Sequence, residues 1–504
     1  ICMRSDRKQE EKKQNGKKIF TNVLAILYSL SILVFLVLVF LVNVLPTLYF
    51  VILVLVLALA SFPILKSLLS RPRKTRSGRE GREARDPKKN KNKTAASVFA
   101  IILILITSVG SYYMGSTLDF FGKISGGDQT HYFYAVVKAD SSYEDVKDIE
   151  GQTVGIMSNG DDVYTEAQDK LKKQVDVSFE EMGSFDDLAN DLMNNETEVI
   201  FLNSSYYDMA IEEVESFTAD NTRIIADIDV TVEQETSSKA VNVTEDPFNV
   251  YVSGIDTTGS IGNTSRSDVN MIMTVNPKTK TILLTSIPRD YYVNLAGKGA
   301  MDKLTHSGLY GIDETTSTVE NLLGIDINYY IKVNFTTVIK LVDTLGGITV
   351  NSDYNFSAAG MDGVTYNFVA GENQLNGQAA LAFSRERYSF SSGDNQRVKN
   401  QQAVITGIIK KCTSSTSILT NYTGILNSVE DNIQTNMTQR EITSLVKMQL
   451  SDMSGWTIKQ CSLTGSGLMT PVYSIPNYSV YVMQPDQSSI DEAKAQIESV
   501  MNEQ

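Results

Sequence analysis

Histidine and cysteine are scarce in this 504-residue chain, with two of the first and three of the second. His131 and His306 stand far apart, neither with a partner at metal-ligand spacing, which argues against a zinc centre. Only Cys412 and Cys461 lie in the long C-terminal part, too few for a disulfide-dependent scaffold. They read as two free thiols in packed structure, with a single bridge as the alternative. The one tryptophan, Trp456, reads as core. No Gly-x-Ser-x-Gly elbow and no Walker phosphate loop occurs, which removes the usual signatures of a serine hydrolase and of a P-loop nucleotide enzyme. Positive charge is also short: 45 Lys and Arg stand against 59 Asp and Glu, a net charge of −14.

Long uncharged runs, by contrast, are present. Residues 19–42, 44–65 and 94–118 carry no charge, and each exceeds or approaches the roughly 20 residues that span a hydrocarbon core. Residues 19–65 therefore read as two transmembrane helices and 94–118 as a third. Residues 1–18 hold seven Lys or Arg against three acids, and the loop 66–93 holds twelve against three. Lys/Arg bias places both segments in the cytoplasm, as a basic tail and a basic loop, and delivers the rest of the chain outside the cell. Those segments sum to +13, leaving −27 outside. So acidic an exterior does not suit nucleic acid, and the basic loop, without aromatics, reads as a topology signal against anionic membrane lipid.

The exterior divides in two. Across residues 131–230 short apolar runs (132–137, 153–157, 175–179, 199–202) alternate with amphipathic stretches (164–174, 185–194), the pattern of a small α/β accessory domain. Its Ile149-Glu-Gly-Gln-Thr-Val-Gly155 turn resembles periplasmic solute-binding proteins, which makes solute binding one function class to weigh. Residues 231–246 are polar and aperiodic, a linker. Residues 247–504 form a larger α/β domain with a mixed sheet flanked by helices. Its strands are expected at 248–255, 269–275, 281–286, 328–333, 457–462 and 480–483. Its helices are expected at 314–323, 336–345, 375–386, 396–411, 441–449 and 490–500.

Within this acidic domain, arginines recur at element ends. Arg289 and Asp290 follow an apolar strand and Pro288; Arg385 and Arg387 close a helical stretch; Arg397, three residues after Asp394, opens another. A guanidinium presents a planar fork matched to phosphate oxygens, so the set suggests a phosphorylated ligand at the strand ends of an α/β sheet. Asp256 and Asp268 lie at the mouths of neighbouring strands, where they could share a hard cation beside phosphate. Taken singly, each is equally a turn or cap residue.

Seven ordered motifs then carry a resemblance: Arg266-Ser-Asp268, Asn276-Pro-Lys-Thr-Lys280, Ser286-Ile-Pro-Arg-Asp290, Asp302-Lys-Leu-Thr-His306, Leu341-Val-Asp-Thr-Leu-Gly-Gly347, Leu375 to Arg387, and Asp394 to Gln402. Together they resemble the LytR–CpsA–Psr (LCP) phosphotransferases of Gram-positive cell envelopes, and the three spans with an accessory domain look most like the CpsA capsule branch. The resemblance implies transfer of a glycopolymer, capsular polysaccharide first, from an undecaprenyl-diphosphate carrier to a peptidoglycan acceptor. It implies Mg²⁺, with Mn²⁺ as the alternative, held by Asp256 and Asp268. Arg289, Arg385, Arg387 and Arg397 would grip the diphosphate, with Arg266 and Gln401 assisting. Asp290 or Asp394 would orient an arginine or take the acceptor's proton, and an apolar tunnel would take the prenyl tail. Other capsule-assembly proteins are the further partners implied. The non-enzymatic alternative is a membrane-bound transcriptional regulator of capsule or envelope genes.

Overall fold

A computed structural model describes residues 2–70, 87–124, 129–158, 162–232, 238–255, 261–414, 424–426, 428–430 and 432–504. These form two compact units: Ile1–Gly122 with Gln439–Asp452, and Lys123–Thr438 with Met453–Gln504.

The first unit holds helices α1 (Cys2–Val42), α2 (Thr47–Leu69) and α3 (Pro87–Ile124). Gly16–Val42, Thr47–Leu69 and Asn92–Phe121 are each long and apolar enough to cross a membrane. Small side chains let these helices approach, since lipid offers no hydrophobic drive between them. Ala25 of α1 is buried with Ala96 and Ala100 of α3 and Leu68 of α2. Hydroxyls supply the directional contacts: Tyr28 OH lies 2.9 Å from Ser61 Oγ, and Thr107 Oγ1 donates to Ser31 Oγ at 3.2 Å. Most of the basic loop, residues 71–86, lies outside the described residues.

The second unit begins with β1 (Gln129–Lys138), β2 (Thr153–Ile156), α4 (Asp162–Gln174), β3 (Ser178–Glu181), α5 (Phe185–Met193), β4 (Ile200–Asn203), α6 (Ser204–Glu213) and β5 (Thr222–Val232). The five strands form one sheet in the order β3-β2-β4-β1-β5. Two of these elements were not expected: α6, and β5 in the stretch before the linker. Asn203 caps α6 by accepting from Ser205 N–H at 2.9 Å, and Tyr206, Tyr207, Met209 and Ala210 bury its inner face.

The larger part continues through β6 (Phe248–Ile255), β7 (Ser267–Asn276), β8 (Thr281–Ile287), β9 (Tyr292–Asn294), β10 (Met301–Lys303), α7 (Ile312–Leu323), β11 (Tyr329–Val333), α8 (Phe335–Thr344), β12 (Ile348–Ser352), β13 (Phe356–Ala359), β14 (Thr365–Phe368), β15 (Gly371–Leu375), α9 (Gly377–Arg385) and α10 (Asp394–Ser414). It ends with β16 (Ile433–Thr435), β17 (Thr457–Ser462), β18 (Gly465–Val472), β19 (Ile475–Pro485) and the C-terminal helix Gln487–Asn502; helix 439–452 belongs to the first unit. The main sheet runs β16-β11-β6-β7-β8-β17. It is mixed: β6 and β11 are parallel, as are β8 and β17, while β6, β7 and β8 form an antiparallel meander. Tyr251, Ile272 and Leu283 pack with Val319 and Leu323 of α7 and Ile490, Ala493 and Ile497 of the last helix. The fold is thus α/β with a mixed sheet and flanking helices, as the residue pattern implies. The expected helix 375–386 starts late, because Leu375 closes the β12–β15 pair and Asn376 caps α9 through Ala379 N–H.

Candidate active site

Three chain segments meet where β7 begins and β8 ends. Pro288 closes a turn, with Tyr291 N–H donating to its carbonyl at 3.1 Å, and this aims Arg289 back across β7. The short 3₁₀ helix Leu304–Tyr310 lies against the start of β7 because Gly308 has no Cβ; a Cβ there would sit 2.4 Å from Ser265 O. That approach puts Thr305 over Asp268, and Thr305 N–H in turn donates to Arg289 O at 2.8 Å.

Asp268 is the hub. Arg289 Nη1 donates to its Oδ1 at 2.9 Å and Thr305 Oγ1 donates to the same oxygen at 3.0 Å. Burial works against its charge, but Arg289, Arg266 and Arg397, with the Thr305 bond, hold the carboxyl below the ordinary aspartate range. Arg397 opens α10 and pairs with Asp394. Burial, and after it the neighbouring Arg289 and Arg387, depress its pKa despite Asp394 and Asp268. Arg289 and Arg397 each retain a buried Nε with no hydrogen-bond partner among the described residues. Asp290 stands 3.7 Å from Arg289 Nε and 3.8 Å from Lys303 Nζ, so it orients cations from a distance.

Arg266, Arg289, Arg397, Asp268, Asp290 and Asp394 are thus brought into one neighbourhood. Arg266 has both Nη atoms engaged, donating to Glu212 at 2.6 and 2.8 Å. Arg387 contributes its field to Arg397 while donating to Tyr388 OH at 2.7 Å. Arg385 is exposed and stacks over the Phe335 ring at 4.3 Å. Gln401 is half-buried; its neighbour Gln402 is the buried one, bonding Cys461 O at 2.6 Å and Leu284 O at 3.3 Å. Asp256 lies outside the described residues.

Lys303, Thr305, Glu212 and Lys332 were not singled out from sequence. The first two sit inside the Asp302–His306 motif, which signalled them without giving a role. Lys332 on β11 is buried, donates to Asn263 O at 2.7 Å, and is pushed down to about 7 by that burial. His306 belongs to a buried structural network. Its Nδ1 lies 2.7 Å from Asp302 Oδ1 and 2.8 Å from Ser474 Oγ, and Ser474 N–H donates to Asp302 Oδ2 at 2.9 Å. Cys412 and Cys461 are free thiols.

For a metal, no group of three or more His, Cys, Asp or Glu side chains occurs among the described residues. Asp268 nevertheless suits a hard cation that keeps most of its ligands from water and phosphate. Both of its protein bonds fall on Oδ1, leaving Oδ2 without a partner among the described residues. A cavity of about 890 Å³ lies between α10, β12 and β17, but Asn351, Gln396, Lys399 and Gln460 make its wall polar. That lining differs from the apolar tunnel implied for a prenyl tail.

Comparison with known proteins agrees with the motifs. The LytR_cpsA_psr family model matches residues 216–499. The Bacillus licheniformis polyisoprenyl-teichoic acid–peptidoglycan teichoic acid transferase TagU is 39% identical over 258 residues, covering 51% of this chain and 79% of that protein. The Bacillus subtilis (strain 168) protein of the same name is 41% identical over 251 residues, covering 49% and 76%. The crystal structure of B. subtilis TagU covers 52% of this chain and 99% of its own, at 37% identity and a TM-score of 0.40.

Proposed function

The chain belongs to the LytR_cpsA_psr family, and from that premise we propose that it is a transferase moving a glycopolymer from a polyprenyl-diphosphate carrier onto peptidoglycan. The observation that carries the reading is the pair of buried Nε donors of Arg289 and Arg397, neither with a hydrogen-bond partner among the described residues, beside Asp268, whose carboxyl is held below the ordinary aspartate range. Buried donors are almost always satisfied, and two of them in one cation cluster ask for an anionic ligand. A diphosphate has the charge and the oxygens. Relatives named for polyisoprenyl-teichoic acid transfer supply the chemical class.

In the proposed step the acceptor hydroxyl oxygen bonds to the phosphorus that carries the polymer. The bridging P–O bond breaks, its electron pair leaves with the prenyl phosphate, and the hydroxyl proton passes to a carboxylate, Asp290 or Asp394. Arg289 and Arg397 face the charge that develops on the phosphoryl oxygens, which is where such reactions gain most. Arg387 adds positive field at the rim, and Arg385 is assigned to the polymer side, where its exposed guanidinium stacks on Phe335. Mg²⁺, held by Asp268 with Asp256, would add Lewis-acid neutralisation of the diphosphate.

The orientation of the three apolar helices, with residues 1–18 and 66–93 cytoplasmic and the α/β domains outside, is part of the proposal and rests on Lys/Arg bias. Capsular polysaccharide is the polymer proposed, from the accessory domain and three spans together. The test is deletion of the protein in its host: loss of capsular polysaccharide from purified sacculi is expected. Loss of teichoic acid instead would move the substrate to that of the named relatives, and unchanged levels of both would refute transfer.

A further inference from the structure

The accessory domain reaches into the cation cluster. Helix α6 ends in Glu212 and Glu213, with no basic residue in its last turn. Two carboxylates there oppose the helix dipole, so α6 alone gains nothing from them. Both find cations of the large domain. Glu212 fills the Arg266 fork with two bonds of 2.6 and 2.8 Å, and Glu213 stands 4.0 Å from Lys303 Nζ. The juncture is fixed by neighbours: Ser205 Oγ at the start of α6 donates to Thr264 O at 2.8 Å, two residues before Arg266. Glu212 is held below the ordinary glutamate range by the Arg266 bonds first, opposed by burial, with Arg289 adding its field.

The consequence falls on Arg266. Its side chain is only 13% exposed, whereas Glu212 is 51% exposed, so the carboxylate is the outer partner and the guanidinium the inner one. Bidentate capture leaves an arginine little freedom of angle. Arg266 is thereby held as a fixed charge beside Asp268, while among the described residues the Nε atoms of Arg289 and Arg397 are buried without a hydrogen-bond partner.

We propose that Glu212 of the accessory domain is a positioning residue for transfer: by filling the Arg266 fork it fixes that cation beside Asp268 and leaves the diphosphate to Arg289 and Arg397. The accessory domain is then part of the reaction's machinery, and its loss is felt at the chemical step. This rests on the transferase reading above. Because Glu212 is itself an anion near the ligand, its neutralisation should not weaken anion binding; it should slow turnover by freeing Arg266.

The test uses the full chain in nanodiscs, comparing the parent with Glu212→Gln, Arg266→Ala and the double variant. Turnover is followed by release of prenyl phosphate, and equilibrium binding by titration with geranylgeranyl diphosphate as probe. Glu212→Gln is expected to lower kcat about tenfold, the scale of one charge-assisted contact, with probe binding equal or tighter. In the Arg266→Ala background the same substitution should add nothing. A parental kcat in Glu212→Gln, or a further loss in the double variant, overturns the inference. A parent that neither binds the probe nor transfers polymer overturns it together with the transferase reading, so the two failures are distinguishable.

Discussion

Replacing Arg289 by lysine separates charge from geometry. The guanidinium is 18% exposed and gives Nη1 to Asp268 at 2.9 Å, while its Nε, 3.7 Å from Asp290, makes no hydrogen bond among the described residues. Lysine keeps the charge that neutralises Asp268 but loses the second donor of the fork. If Nε serves the diphosphate, the loss is one hydrogen bond to a charged group, about 1.5–3 kcal/mol. That corresponds to roughly a 10- to 150-fold fall in kcat/KM. Folding should hold, because Arg266 and Arg397 still face Asp268. The assay is prenyl phosphate release from a lipid-linked polymer with peptidoglycan as acceptor, with a melting curve taken on the same preparation. Parental kcat/KM in Arg289→Lys would refute the role of the orphan donor. So would a loss matched by a loss of folded protein.

Asp268→Asn keeps the shape of the hub and removes its charge; activity should fall and its response to added Mg²⁺ should flatten, whereas full parental activity in a chelator would refute the metal. Lys332 has a folded pKa of about 7 against an ordinary 10.5, so the unfolded chain binds more protons between those values and stability should rise with pH across that window. The whole depression is worth roughly 4–5 kcal/mol, so Lys332→Met should flatten the rise in melting temperature between pH 7 and pH 10; parallel profiles would contradict it. Ser474→Ala should cost about 1 kcal/mol of stability and leave turnover per folded molecule unchanged, whereas lost turnover in a folded variant would bring the Asp302–His306 network into the chemistry.

The readable parts of the sequence were those where one physical signal dominates. Uncharged runs locate the three apolar helices, and the strands of the main sheet stand out because β6 and β8 carry no charge and are dominated by apolar and β-branched residues. Helix α6 leaves little trace in the sequence because Ser-Ser-Tyr-Tyr is a poor helix start by propensity and its acids sit at the wrong end. Its Asn203 cap was the available signal. Glu212 at its far end, and the engagement of Arg266 by the accessory domain, therefore have no periodic signal in the sequence.

Side-chain direction was the other gap. Arg385 and Arg387 are two residues apart at a helix end, a spacing that does not share a helix face, and they diverge: one onto Phe335, the other towards Tyr388 and the field of Arg397. Gln401 and Gln402 differ by one step on α10, and it is Gln402 that is buried against β8 and β17. Element ends could be read from pattern. Which atoms converge there depends on the approach of Leu304–Tyr310 over Gly308, a contact with no periodic trace in the sequence.

The most direct measurement is a single-turnover reaction of the full-length protein with a polyprenyl-diphosphate-linked glycopolymer and peptidoglycan, followed by phosphorus NMR. The account predicts prenyl monophosphate and a wall-linked phosphodiester appearing together in equal amounts, and neither with Arg289→Ala. Prenyl diphosphate released intact, or the same products from Arg289→Ala, would contradict it.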